Sequence, residues 1–335
     1  MTLAQQIFRA LADGGVHSGE ALAEAAGVTR SAVWKAIGQL RESGLPIEGQ
    51  TNRGYHLAAR SEPLDAVALH GALTKEIRDC STVAIEWELP STNLALLAAP
   101  PPPPGRYAVL LAENQTGGRG RRGRAWRAAL GGSLCLSVAT SFEPLPRDLP
   151  ALALVIGVRT RAALCDRGAR DLGLKWPNDL VTQRADTAGL AKVGGILVEL
   201  RAEAGGPGHV VVGIGLNLRL DDAARAAIAQ TGTVAADLQE LGVDVGARNA
   251  LAAAVIVGCV EGLSTFVREG FAPFLPVWRD ADALRDRQVR IVDGTGERDG
   301  IARGIDAQGA LQLERPDGKR ESVLAGDVSL RSRSP

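Results

Sequence analysis

The sequence predicts an α+β protein in three parts: an N-terminal winged helix-turn-helix, a central body that mixes helices and strands, and a small C-terminal β-barrel. Three observations point there. Residues 1–60 hold three short amphipathic helical segments followed by a two-strand pattern, residues 66–280 alternate helical and strand-like stretches, and from residue 285 short strands alternate with turn residues to about residue 332. A length of 335 residues accommodates two domains and a small third one.

Residues 3–13, 18–26 and 29–43 each carry helical periodicity, with Ser18 and Thr29 placed as N-caps and Gly14, Gly15 and Gly27 as breaks. In the third segment Val33, Ile37 and Leu40 recur at helical spacing and face a core, which leaves Arg30, Ser31, Trp34 and Lys35 outside. Such a helix suits a DNA-reading position. Leu45–Glu48 and Tyr55–Leu57 then read as two strands around a turn at Thr51–Gly54, a wing that carries Arg53. Residues 1–60 contain six basic and five acidic side chains, so one copy holds phosphates weakly and DNA binding calls for two copies on paired half-sites.

A polar link near 58–65 leads into the body, whose strand-like stretches include Arg106–Ala112, Ser133–Thr140, Gly194–Leu200 and His209–Leu216. Pro100–Pro104 reads as a stiff surface spacer. Beyond residue 285, strands at 289–292, 300–305, 310–314 and 323–324 are punctuated by Asp293-Gly294 and Asp317-Gly318.

Composition excludes several classes. Hydrophobic residues make up 45% and charged residues 23%, which is incompatible with a largely disordered chain. Basic and acidic residues balance at 38 each, so any nucleic-acid partner must be met by a local patch. Cys80, Cys135, Cys165 and Cys259 show no metal or redox spacing and read as buried free thiols. The apolar runs 151–158 and 251–260 are too short to span a bilayer, and no signal-peptide pattern opens the chain, so a cytoplasmic location without a membrane partner is expected.

The strongest chemical feature is Gly117–Trp126, which packs four arginines and four glycines into ten residues after a strand, with no acidic residue as far as Gly132. A loop of that kind offers backbone N–H groups and guanidinium forks to a phosphate or carboxylate. Gly118, Gly120 and Gly123 fit the dinucleotide spacing formally, but that fingerprint needs a helix at the loop's end, and residues 126–140 read as loop and strand. A Walker loop is excluded by the missing Gly-Lys-Ser/Thr. Lys175-Trp176-Pro177-Asn178-Asp179 sets a cation, an aromatic plane and an acid on one turn, and Lys192 stands just before the apolar strand 194–200. Ser91-Thr92-Asn93 opens a helical run at Leu94–Ala99.

Together the four stretches STN (91–93), GGRGRRGRAW (117–126), KWPNDL (175–180) and KVGGILVEL (192–200) closely resemble the motifs of the biotin protein ligase family, and the winged N-terminus and C-terminal barrel match its bifunctional ligase–repressor form. The resemblance implies a class II synthetase-like catalytic domain at 66–280 and an SH3-like barrel at 285–332. It implies that biotin and ATP form biotinyl-5′-adenylate, and that a lysine of a biotin carboxyl carrier protein takes the biotinyl group. A ligand-promoted homodimer on operator DNA of biotin genes follows from the repressor form.

Carried over by motif, Ser91, Thr92, Asn93 and Gln115 hydrogen-bond the biotin ring with Gly118 lending backbone. Arg119, Gly120 and Arg121 wrap the carboxylate and adenylate phosphate, Lys192 meets the reacting oxygens, and Trp126 forms the adenine side with Arg122, Arg124, Lys175 and Asn178 about the nucleotide. Arg119, Arg121, Asp179 and Lys192 form the catalytic set, in which Asp179 either organises phosphates and Mg²⁺ with Asn178 or orients the incoming lysine. No metal is expected to be ligated directly by the protein. A carboxylate attacking an anionic phosphate needs positioning and fixed positive charge rather than a nucleophilic side chain, so the chemistry of the motifs agrees. The stretch 180–191 is longer than the family's usual connection. Competing readings are a biotin-sensing repressor that no longer transfers biotin, a lipoate-type ligase, and a dinucleotide oxidoreductase.

Overall fold

The computed structural model describes residues 1–184, 189–202, 207–294 and 296–330. In the first sixty residues, each helix start is fixed by the residue that precedes it. Gln5 N–H donates to the Thr2 hydroxyl and Thr2 N–H donates to Gln5 Oε1, a capping box that opens α1 (Leu3–Leu11). Ser18 caps α2 (Gly19–Ala26) and Thr29 caps α3 (Arg30–Glu42), as their positions in the sequence suggested. Gly27 ends α2 at a φ of 65°, a left-handed turn that glycine adopts without Cβ strain. The wing is an antiparallel pair, β1 (Ile47–Gln50) and β2 (Gly54–Leu57). Ile7, Phe8, Leu11, Leu22, Val33, Ile37 and Leu40 bury together.

The body runs α4 (Ala66–Ala72), α5 (Lys75–Cys80), β3 (Ser81–Leu89), α6 (Thr92–Ala98), β4 (Tyr107–Gln115), β5 (Ser133–Phe142), α7 (Leu152–Cys165), β6 (Leu172–Lys175), β7 (Asp179–Gln183), β8 (Leu190–Ala202), β9 (Gly208–Asn217), α8 (Asp222–Ala229), α9 (Arg248–Glu269) and α10 (Leu275–Asp280). Its strands form a seven-stranded sheet in the order β3-β4-β5-β9-β8-β7-β6, parallel only between β3 and β4. Val109 and Leu111 face the main core with α7 and α9, while Leu110 faces a smaller cluster with Leu96 of α6, the alternation a two-sided strand requires. The apolar run 251–260 is part of the 22-residue α9, so the expectation that it is too short to span a bilayer does not hold by length and composition. Its most apolar window is 61% buried within the fold, which marks a core helix. The C-terminal strands β10 (Gln288–Asp293), β11 (Gly296–Ile305), β12 (Leu311–Glu314), β13 (Arg320–Val323) and β14 (Asp327–Leu330) form a five-stranded antiparallel sheet in the order β13-β12-β11-β10-β14.

The segment read as a polar link is instead clamped. Ser61 and Leu64 are buried, Leu64 N–H donates to the Glu113 carboxylate, and that carboxylate pairs at 2.7 Å with Arg248, which also reaches Glu62 O at 3.1 Å. The pair lies wholly inside the protein, so removing either partner would strand a buried charge. A second tie comes from the stretch after the arginine-rich loop. Leu130 is buried in the winged domain's own cluster and its N–H donates to Ser43 O at 2.8 Å, while Phe8 meets Trp87 of β3 edge-on. Local sequence gave no sign of either tie, because their partners are far apart along the chain.

Candidate functional site

A cavity of about 350 Å³ opens where the ends of β4, β6 and β7, the start of α6, the middle of β8 and β9, and the arginine-rich loop converge. Its floor depends on the glycines of the Val-Gly-Ile-Gly stretch of β9, which alternate and so share one face. A Cβ at Gly213 would stand 2.3 Å from Asn93 Oδ1, and one at Gly215 would stand 2.6 Å from the Trp126 ring. Only bare backbone lets Asn93 and Trp126 lie so close to the sheet.

One end of the cavity is a hydrogen-bonded clamp. Gln115 Oε1 accepts from Thr92 N–H at 2.8 Å and from the Thr92 hydroxyl at 3.1 Å, which turns the Gln115 amide hydrogens away from Thr92. The buried Ser137 hydroxyl lies 2.6 Å from Thr92 Oγ1 and 2.5 Å from Asn93 Oδ1. Asn93 donates its amide to Leu197 O at 3.3 Å and to Glu199 at 2.9 Å, so it braces the wall through the protein itself. Ser91 occupies the N-cap position of α6, yet its side chain makes no capping bond.

The opposite side is cationic. The arginine loop folds back on itself: Gly120 N–H donates to Arg124 O at 2.7 Å and Trp126 N–H to Gly118 O at 2.8 Å, with Arg122 and Gly123 at positive φ at the tip. No α-helix follows, only a single 3₁₀ turn at Arg121–Gly123, which removes the helix N-terminus that a dinucleotide site needs. Each arginine faces a resident partner. Arg119 pairs with Glu199 at 3.1 Å, Arg122 with Asp327 at 3.1 Å, Arg124 also with Asp327, and Arg121 reaches Asn178 Oδ1 and Gly326 O at 3.4 Å. Burial pulls the Arg121 guanidinium below its ordinary pKa, with the charge of Asp327 acting against that.

Between clamp and loop stands a second charged cluster. Lys192 Nζ lies 2.6 Å from Asp179 Oδ1 and 5.8 Å from the centre of the Trp126 ring, and Lys175 Nζ lies 3.6 Å from Asp179 Oδ2. Burial raises the Asp179 pKa, but the two ammonium groups more than offset it and hold the carboxyl below the usual range. Lys192 is inside β8 rather than just before it, and the β7–β8 register slips between Leu180 and Val181, a bulge of the kind that re-aims side chains. Trp176 is a core plug, 2% exposed with its indole N–H on Gly309 O, so it offers no aromatic face to the cavity.

The structure therefore brings Ser91, Thr92, Asn93, Gln115, Arg119, Gly120, Arg121, Arg124, Trp126, Lys175, Asn178, Asp179 and Lys192 around one cavity; Gly118 lies beneath Trp126, and Arg122 points to the C-terminal sheet. Trp126 stands next to Cys135 and Gly215, and its indole N–H is buried with no oxygen acceptor among the described residues. Sequence reasoning missed Ser137, Glu199, Gly213, Gly215, Asn217, Thr231, Thr233 and Asp327. An acid in the otherwise apolar run 193–200 of β8 and the alternating glycines of β9 were readable signals; Asp327 had none. Cys135 and Cys259 are buried thiols as expected, with burial pushing Cys135 up to about 11, whereas Cys80 and Cys165 are only half-buried because each sits at a helix end. Within the insertion at 180–191, residues 185–188 lie outside the described residues. Arg30, Ser31, Trp34 and Lys35 share the exposed face of α3, Trp34 at 69% exposure, and Arg53 is exposed at the wing's tip.

The chain matches three family models: an HTH domain over residues 4–56, the biotin/lipoate A/B protein ligase family over 90–217, and a biotin protein ligase C-terminal domain over 286–331. It is 38% identical to the bifunctional ligase/repressor BirA of Salmonella typhimurium and 37% identical to that of Escherichia coli, in both cases across 99% of this chain and 98% of the relative. Among solved structures it is similar to the biotin protein ligase from Aquifex aeolicus in complex with biotin and ATP, at 26% identity and a TM-score of 0.60 over 75% of this chain and 98% of that one.

Proposed function

The chain belongs to the family of bifunctional biotin ligase/repressors, and from that premise we propose that it joins biotin to ATP as biotinyl-5′-adenylate, passes the biotinyl group to a lysine of a biotin carboxyl carrier protein, and represses biotin genes as an adenylate-bound dimer. The observation that carries the reading is a cavity that joins a neutral hydrogen-bonding clamp to the charged side chains of Lys192, Asp179 and Arg121. The clamp suits an uncharged ring urea, with the amide of Gln115 and the hydroxyls of Ser91 and Thr92 as its donors and acceptors. Asn93 serves by holding the wall in place.

In the first step the acid's carboxylate attacks the α-phosphorus and pyrophosphate leaves. Two anions must meet, so Lys192 and Arg121 contribute by neutralising charge at fixed positions. Magnesium enters with the nucleotide as part of the substrate: both Asp179 oxygens are taken by lysines, and no group of three or more His, Cys, Asp or Glu side chains could hold a metal among the described residues. In the second step an acceptor amine attacks the acyl carbon and AMP leaves. Arg119, Arg122 and Arg124 are released from Glu199 and Asp327 as the loop closes on the adenylate and shields it from water. At the other end of the chain, two winged domains supply the exposed faces of α3 and the wing to paired half-sites.

Incubation of the protein with biotin, ATP, Mg²⁺ and a carrier-protein domain is expected to add one biotinyl group to the carrier, read by mass; no addition would overturn the ligase reading. In the Arg121→Gly variant the adenylate is expected to dissociate about tenfold or more faster while biotin binding is partly retained. Adenylate-saturated protein is expected to sediment as a dimer and to bind DNA from its own biotin-gene promoter at low salt; failure of both would leave the N-terminal unit without a regulatory role.

A further inference from the structure

An enzyme that makes an acyl adenylate must keep it from its own amines. A mixed anhydride of a carboxylic acid and a phosphate acylates an unprotonated amine that can reach its carbonyl carbon, whereas a guanidinium stays protonated and is a poor nucleophile. This chain has only five lysines among its 38 basic residues: Lys35, Lys75, Lys175, Lys192 and Lys319. Lys35, Lys75 and Lys319 are exposed and none of them lines the cavity. The other two, Lys175 and Lys192, line the cavity itself, at 22% and 27% exposure.

Both lie on the same carboxylate, which spends one oxygen on each and is itself 16% exposed. We propose that Asp179 is the residue that sets chemoselectivity: it engages the Lys192 and Lys175 nitrogens in ion pairs, so that the activated acyl group is kept for the acceptor's amine. The proposal rests on the ligase reading above. The reaction held in check is attack by the neutral Lys192 nitrogen on the acyl carbon, in which a C–N bond forms, the C–O bond to phosphate breaks, AMP leaves, and the displaced amine proton passes to solvent. Its product is an amide at Lys192, which would also erase the cation the first step needs. To attack, Lys192 must first give up a proton in the 2.6 Å ion pair, and in a half-buried setting that leaves Asp179 with one cation fewer. The same pairing lets two lysines stand in a cationic wall that is otherwise arginine.

The test uses the full-length protein and acetic anhydride at limiting concentration, followed by peptide mapping. In the parent, Lys192 is expected to acetylate more slowly than Lys319 even per unit of exposed area; equal rates per exposed area would overturn the proposal. In Asp179→Asn the Lys192 rate, referenced to Lys319, is expected to rise about tenfold or more, the scale of one charge-assisted hydrogen bond. Asp179→Glu should restore protection, which a merely structural defect would not do. A folded Asp179→Asn protein with unchanged Lys192 reactivity sinks the idea; should that variant not fold, Asp179→Ser carries the same expectation and the parent measurement stands alone. A second arm adds preformed biotinyl-5′-adenylate without any acceptor. A biotinyl mass on Lys192 or Lys175 is expected in Asp179→Asn and not in the parent, and is abolished at position 192 by adding Lys192→Arg. Absence of that adduct while Lys192 acetylates freely would overturn the acyl-transfer half. If the ligase reading fails instead, the parent leaves the carrier domain unmodified while the acetylation arm still reports on Asp179.

Discussion

The floor of the cavity and the arginine loop solve opposite problems. On the floor, polar groups are held before any ligand arrives: Thr92, Gln115, Ser137 and Asn93 bond one another, and Lys192 is seated on a strand against a carboxylate that is 16% exposed. In the loop, Arg119, Arg122 and Arg124 are 44%, 41% and 62% exposed and are held by Glu199 and Asp327, carboxylates from β8 and the C-terminal sheet. Exposed ion pairs of that kind contribute about 0–1 kcal/mol each. Giving them up to an anionic ligand therefore costs little, whereas disturbing the floor means unmaking bonds that water cannot readily replace. On the proposed reading, recognition is prepared in the floor and closure is left to the loop.

The comparison is tested most sharply at Lys192. If fixed charge on the floor carries the first step, Lys192→Ala should slow adenylate formation by about 10²–10³-fold, the loss typical of one preorganised charge-stabilising donor. A near-normal pyrophosphate release rate would move the catalytic charge to the loop. The next effect is steric. Gly215→Ala places a methyl 2.6 Å from the Trp126 ring and should weaken biotin binding by up to about 3 kcal/mol, the range for overpacking a well-filled site. Titration calorimetry checks it, and unchanged affinity would mean that Trp126 belongs functionally to the loop.

Charge burial gives a third test through two sequestered aspartates. Asp179 has two ammonium partners and is held below the usual range, while Asp282, at the join to the C-terminal sheet, has one oxygen without a partner among the described residues and is pushed by burial up to about 6. The signs differ accordingly. Asp179 contributes stability that is present above the ordinary carboxylate pKa and lost as pH falls through its lowered folded value. Asp282 contributes stability that is present below the ordinary value and lost as pH rises through about 6. Asp282→Asn should then remove a loss of about 3 kcal/mol between acidic and neutral pH, followed by urea titration across that range. A variant with the parent's pH profile would show that Asp282 titrates normally.

Much of this contrast was legible in the chain. Caps at Ser18 and Thr29, the arginine–glycine loop, and the strands carrying Lys192 and the alternating glycines are local signals, written in spacing and residue type. The ties were not. Glu113 meets Arg248 across 135 positions, Arg124 meets Asp327 across 203, and Leu130 is buried in a domain that begins at the other end of the chain. Periodicity specifies which face of an element is buried, but not which distant side chain it will meet. That is why Asp327 was invisible and why the segment at 58–65 looked like a free link when Arg248 in fact pins it.

Asp327 supplies the mildest test. It takes both Arg122 and Arg124 while Arg121 reaches the carbonyl of Gly326 beside it, so the loop's tip is moored to the C-terminal sheet. Because these pairs are exposed, Asp327→Asn should cost no more than about 1 kcal/mol of loop ordering. Amide hydrogen exchange of residues 119–125 in the ligand-free protein should quicken by a few-fold, with the floor residues 91–93 unaffected. Added adenylate should bring both proteins to similar protection, since the ligand's phosphate then takes over the arginines. If exchange quickened at the floor as well, the two regions would not be independent, and Asp327 would be bracing the whole site through Arg121 and Asn178.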